Sequence, residues 1–419
     1  MHLFTTVFLS FLAASVLVRL WLTGRQIRHI TSHHDKVPAA FADRIALEDH
    51  QRAADYSCTK LRFGRYMLAW ETLWLLLWTL GGGINIIDQW WGGLGFSLLL
   101  TGIGVVFTLS LVSALLDLPF SLYQTFVIEE RFGFNNTTLK TWFLDMAKTA
   151  LLVVVLGAPL LAAILWLMNQ AGNYWWVYAW LLWMGFSLTM IWAYPAFIAP
   201  LFNKFSQLDN DSLRTRIEAL LSRCGFHSQG VYVVDGSRRS SHGNAYFTGF
   251  GKNKRIVFYD TLLESLSEDE VEAVLAHELG HFKRKHITKS LLLSAFISAA
   301  GFAILAWLMR SDWFYTSLGV ETASTHAALL LFMLIMPAFT YFISPLFSAM
   351  SRKHEFEADE FAHSNSDYKA LISALVNLYR DNASTLTPDP LHSMFYDSHP
   401  PASIRINHLE SIAGGSNRA

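Results

Sequence analysis

The sequence predicts a mainly α-helical, polytopic membrane protein with a small α+β unit inserted between two of its bilayer crossings. Three observations carry this reading. The chain has 419 residues, 53% of them hydrophobic and only 16% charged, where a soluble domain carries roughly a quarter charged. Fifteen Trp and thirty-one Phe are more than one soluble core hides, so without a bilayer they would leave large apolar patches on the outside. Finally, seven apolar stretches of roughly 18 to 25 residues are each long enough to cross a hydrocarbon layer of about 30 Å. A net charge of -1 without a basic tail gives no reason to expect a nucleic-acid partner. The two cysteines, Cys58 and Cys224, belong to no CxxC or Cys/His cluster, which excludes a disulfide framework and suits a reducing compartment.

The seven stretches are 3–23, 66–84, 94–116, 149–169, 174–198, 290–309 and 327–349. No basic residue precedes the first, which is too long for a signal-peptide core and so reads as a retained span. Lys and Arg orient the chain. Segments 24–65, 117–148, 199–289 and 350–419 carry eight, three, thirteen and six of them, whereas 85–93 and 170–173 carry none. Because basic residues are held on the cytoplasmic side, the N-terminus is expected outside and the C-terminus in the cytosol. Trp90, Trp91, Trp175 and Trp176 fall at outer span ends, where an aromatic belt belongs. Arg19 and Glu71 are costly in lipid and must face protein or water, or reach the interface by snorkelling.

Four segments result: membrane spans in 1–200, an insert at 201–289, two further spans in 290–350 and a C-terminal segment, 351–419. Within the insert, residues 212–224 repeat apolar positions at three and four and stop at Gly225, which predicts an amphipathic helix. Short β-branched and aromatic runs at 230–234, 244–250 and 255–259, separated by Gly and Asn, predict a small sheet. Ser267 to Glu270 then reads Ser-Glu-Asp-Glu, a capping box that starts a helix.

That helix contains His277-Glu278-Leu279-Gly280-His281. Residues i and i+4 lie on one helical face, so both imidazoles can direct a nitrogen at one point about 2 Å away, the bond length zinc prefers. Glu278 can then take a proton from a water acidified by the metal, which makes a nucleophile without a covalent intermediate. Catalytic zinc takes a third protein ligand and keeps an open fourth position. The candidates follow the last span, in His354-Glu355-Phe356-Glu357-Ala358-Asp359. Spacing alone leaves Glu355, Glu357 and His354 open, although Glu355 and Asp359 share a face, so one could ligate while the other orients a histidine.

Together these motifs resemble the type 1 CaaX prenyl endopeptidases, the integral-membrane zinc metalloproteases known as a-factor-converting enzymes. The resemblance extends over nearly the whole chain. It includes Ser240-Ser241-His242-Gly243-Asn244-Ala245-Tyr246-Phe247 ahead of the metal helix, and Leu118-Pro119-Phe120 through Glu129-Glu130-Arg131-Phe132-Gly133-Phe134-Asn135. It implies that His277, His281 and Glu355 bind one zinc ion, that Glu278 is the general base, and that Asp359 supports a ligand histidine. His399 and Arg405 are implied to stand near the substrate and its developing oxyanion, and Asn244, Ala245, Tyr246 and Phe247 to form an edge strand that receives an extended peptide. The seven helices would enclose a water-filled chamber capped by the metal site.

The partners so implied are a peptide or protein substrate, possibly lipidated, and membrane lipids. The C-terminal residues show no lysine-based retention signal, which points to a bacterial inner membrane, with the endoplasmic reticulum membrane as the alternative. Two other functions compete: a membrane-protein quality-control protease without prenyl specificity, and a transporter whose insert binds zinc for structure.

Overall fold

The computed structural model describes residues 2–226, 230–248 and 255–416. Among these, six unbroken helices are long and apolar enough to cross a membrane: Leu3–Ser32, Leu98–Glu129, Leu139–Gln170, Gly172–Phe202, His286–Leu308 and Thr325–Asn365. The count reaches seven if helix Leu47–Trp78 and Gly83–Gly92, which meet at a bend of 48°, are taken together as one span. The expected span 66–84 runs through this bend. Gly82 has φ 77°, and a Cβ on Gly81 would lie 2.8 Å from the Leu77 backbone. Glycine permits the turn there, while hydropathy sees only continuous apolar sequence. The other six stretches all extend at one or both ends, most of all the last, whose helix continues to Asn365.

Only 0% to 39% of each crossing's apolar window is buried within the protein, far less than a tightly packed bundle would bury, so most of this surface is left to lipid or to an open interior. Arg19 and Glu71 both line a cavity of about 270 Å³, joined there by Asp117 and Trp74. Of the expected belt, Trp90 is exposed, but Trp175 is buried and Trp91 donates to Thr108 Oγ1 at 3.0 Å.

Outside the apolar helices lies the α+β unit. Helix Asp211–Arg223 is capped by the Asn210 side chain and stopped by Gly225 at φ 61°. The predicted strand regions appear as β2 (Val231–Val234), β3 (Ala245–Thr248) and β4 (Arg255–Tyr259), and β1 (Phe205–Gln207) joins them unforeseen. The end of the 244–250 run falls outside the described residues. Strand order is β1-β2-β4-β3, with β2 and β4 parallel and both outer pairs antiparallel. β3 therefore lies at an edge of the described sheet.

One hydrophobic core unites this insert with the C-terminal segment: Ile217, Leu220, Phe258 and Leu279 pack in the same cluster as Leu371 and Leu409. At its centre, helix Glu268–Lys283 crosses helix Ser344–Asn365. A Cβ on Gly280 would sit 2.9 Å from Ala358 Cα and 3.0 Å from its carbonyl oxygen. Only the absence of a side chain lets the two backbones come this close.

Gly280→Ala is therefore expected to push the two helices apart, to cost about 1–3 kcal/mol through overpacking and to lower metal retention. Thermal unfolding together with metal content of the purified variant measures both effects.

Candidate metal centre

Helix Glu268–Lys283 begins at the predicted capping box, in which the Ser267 amide donates to Glu270 Oε2 at 2.8 Å and the Glu270 amide to Ser267 Oγ at 3.4 Å. Fixing this first turn sets the phase of the two histidines further along. His277 and His281 present their Nε2 atoms 3.2 Å apart. From the crossing helix, Glu355 places Oε2 3.4 Å from His277 Nε2 and Oε1 3.3 Å from His281 Nε2. A tetrahedral centre with bonds of about 2.0–2.1 Å holds neighbouring donors about 3.3–3.4 Å apart. The distance between the imidazole nitrogens is close to that length, and so is the distance from each of them to a different oxygen of the one Glu355 carboxylate. Glu355 is buried, and its Oε2 lacks a hydrogen-bond partner. An orphaned buried carboxylate oxygen beside two imidazole nitrogens is a donor set that suits a divalent metal.

Behind the ligands lies an ionic cluster. Asp359, fully buried, stands 2.8 Å from His277 Nδ1. The Arg405 guanidinium, also buried, donates to Asp359 Oδ2 at 2.8 Å and lies 3.5 Å from Glu355 Oε2. Burial alone and the nearby Arg405 cation both disfavour charging His277, yet the Asp359 and Glu355 carboxylates outweigh them and raise its pKa to about 9. For Glu355 and Asp359, burial favours the neutral acid, but their imidazole and guanidinium partners win and hold both below the usual carboxylate range.

Glu278 is half-buried and its carboxylate has no side-chain partner among the described residues. His399 comes in from the C-terminal segment, its Nε2 3.4 Å from Glu355 Oε1 and its side chain 64% exposed. Arg405 was expected beside the substrate. In the structure it is buried against Asp359 and Glu355, two carboxylates of the kind a buried guanidinium requires. Of the proposed substrate strand, Asn244 precedes β3 and its carbonyl accepts from the Tyr259 amide at 2.9 Å. Ala245, Tyr246 and Phe247 pair antiparallel with Phe258, Val257 and Ile256. The rivals for the third donor position lie elsewhere: His354 stacks on His286, and Glu357 accepts from His286 Nε2.

Two contacts at the site were not anticipated. Asn382 Oδ1 accepts from the Gly243 amide at 3.1 Å and lies 3.1 Å from His242 Nδ1, clamping the approach to β3. Tyr379 Oη accepts from the Ala402 amide at 3.2 Å and so holds the turn between His399 and Arg405. Neither contact has a sequence signal, since each joins distant segments through one side-chain atom.

A family model described as CAAX prenyl protease N-terminal, five membrane helices, matches residues 26–204, and one described as Peptidase family M48 matches residues 207–413. The CAAX prenyl protease 1 homolog of Homo sapiens is 34% identical over 97% of this chain and 96% of its own length. CAAX prenyl protease 1 of Saccharomyces cerevisiae is 32% identical over 94% and 92%, and the Arabidopsis thaliana homolog 42% over 71% and 70%. The crystal structure of S. mikatae Ste24p matches with a TM-score of 0.90 at 31% identity, covering 98% of this chain and 99% of that one.

Two outcomes follow from the geometry. Arg405→Ala leaves two buried carboxylates without their cation and is expected to cost about 3–5 kcal/mol, read from unfolding of the metal-free protein. Ligation needs His277 neutral, so metal binding must release its proton, and affinity is expected to fall about tenfold for each pH unit below about 9. Chelator competition over a pH series measures that slope, and a flat profile would show the ring to be neutral before the metal arrives.

Proposed function

The chain belongs to the CAAX prenyl protease 1 family of membrane M48 metallopeptidases, and from that premise we propose a zinc-dependent endopeptidase that cuts near the C-terminus of lipidated proteins, with its metal centre in the cytosol. Membership of a peptidase family favours this reading over the transporter, and the CAAX prenyl protease 1 relatives favour it over the quality-control protease. The observation that supports the zinc assignment is the convergence of His277, His281 and the Glu355 carboxylate on one point, with the Glu278 carboxylate on the residue after His277.

In this reading His277, His281 and Glu355 are the residues that would hold the ion. Zinc, when bound, polarises the scissile carbonyl and acidifies water. Glu278 accepts a proton from the attacking water as its oxygen bonds to the carbonyl carbon, then returns a proton to the amine as the C–N bond breaks. Asp359 accepts the Nδ1–H of His277, which leaves Nε2 unprotonated for ligation. Arg405 acts through Asp359 and Glu355 as a positioning residue, whereas the exposed His399 is placed to donate to the carbonyl oxygen as negative charge develops on it. The free edge of β3 offers main-chain groups to an extended peptide. That pairing fixes register while reading side chains loosely.

Exposed apolar helices near the site suit a substrate whose tail partitions into a bilayer. The cytosolic placement rests on the distribution of Lys and Arg, since thirteen of them lie in 199–289 and six in 350–419. A tag at the C-terminus should therefore be cleaved by protease only after the cytosolic face is made accessible.

Glu278→Gln is expected to keep zinc yet lose about 10²–10⁴-fold in peptide cleavage, checked by metal analysis beside a digest of a model peptide. An unchanged cleavage rate would end the general-base assignment. Comparing a farnesylated peptide with its unlipidated twin tests the substrate class: preference for the lipidated form is expected, and equal rates would count against it.

A further inference from the structure

His281 has a second nitrogen, and it is occupied. Its Nδ1 lies 3.0 Å from Nδ1 of His286, and Nε2 of His286 lies 2.9 Å from Glu357 Oε2. His286 is 4% exposed, and its ring is stacked on His354 with centroids 4.0 Å apart and planes at 12°. Lys289 and Lys353 flank Glu357 at 3.7 and 3.9 Å. The turn that brings His286 back onto the preceding helix passes through Lys285 at φ 58°, ψ 34°. A non-glycine residue adopts that left-handed conformation at a cost of about 1–2 kcal/mol. The chain accepts this cost between the two histidines.

Only one arrangement of protons satisfies these atoms. A metal-binding Nε2 on His281 must offer a lone pair, so its proton is on Nδ1, pointing at His286. His286 Nδ1 must then accept, which puts the His286 proton on Nε2, directed at a carboxylate that can only accept. We propose that His286 and Glu357 are the positioning pair of His281: Glu357 holds the His286 proton on Nε2, and His286 in turn holds the His281 proton on Nδ1, presenting Nε2 to the metal. This rests on the reading of His281 as a ligand. The two metal imidazoles are thus oriented differently, His277 directly by a buried carboxylate and His281 through an intervening imidazole that reaches a carboxylate at the edge of the site.

His286→Phe keeps the stacked ring but removes the acceptor, and Glu357→Ala removes the anchor. Both are expected to weaken zinc binding by about 10- to 100-fold in chelator competition, with the unfolding midpoint of the metal-free protein near that of the wild type. Glu357→Gln retains an acceptor oxygen and should recover most of the affinity. In Co²⁺-loaded protein the visible absorption bands of His286→Phe should shift, because His281 is no longer held at one angle. His281→Ala is the control. If it retains full zinc affinity, the ligand reading itself fails. If it loses zinc while His286→Phe and Glu357→Ala bind as tightly as wild type, or lose only stability, the positioning pair is refuted. Combining His286→Phe with His281→Ala should cost nothing beyond His281→Ala alone.

Discussion

Backbone contact at Gly280 is the constraint on which the rest of the molecule depends. Helix Glu268–Lys283 carries both imidazoles and helix Ser344–Asn365 carries the carboxylate, and neither can complete a metal site alone. Their approach is set by Gly280 lying against Ala358, one residue before His281 and three after Glu355. Had the helices met through two full side chains, their axes would stand further apart and the donor edges of 3.2–3.4 Å would open.

The buried charges at this crossing balance through a proton on an imidazole. Glu355 and Asp359 bring two negative charges into a buried space where Arg405 supplies one positive charge. A proton on His277 makes up the remaining charge, and this is why its pKa rises despite burial. His277 and Glu355 would hold a divalent ion only once that proton has left. The carboxylates that raise the pKa of His277 would attract a metal cation for the same electrostatic reason.

The membrane helices and the hydrolytic site are joined mechanically. The last crossing does not stop at the end of its apolar stretch but runs on as one helix to Asn365, which brings Glu355 to the metal histidines. The first crossing reaches the C-terminal segment from the other side: Arg25 forms a two-point ion pair with Asp389, and Gln26 accepts from the Asp389 amide, at the start of the helix Pro390–Tyr396 that precedes His399. The turn that carries His399 is thus tethered both to a membrane helix and, through Tyr379, to the unit's own core.

What could be read in the sequence was whatever depends on short separations. The amphipathic helix stopped by Gly225, the capping box at Ser267 and the pairing of His277 with His281 arise within one or two helical turns, and each appears where its residues stand. Hydropathy also placed the crossings, apart from the bend near Gly82, where a continuous apolar run conceals a break that depends on φ rather than on polarity. The third donor was beyond the reach of sequence for a different reason. His354, Glu355 and Glu357 lie on a single helix about 100° apart from one residue to the next, so each could have faced the histidines. Only the crossing at Gly280 decided that Glu355 turns inward to His277 and His281, that Asp359 lies one turn beyond it against His277, and that Glu357 and His354 contact His286 instead.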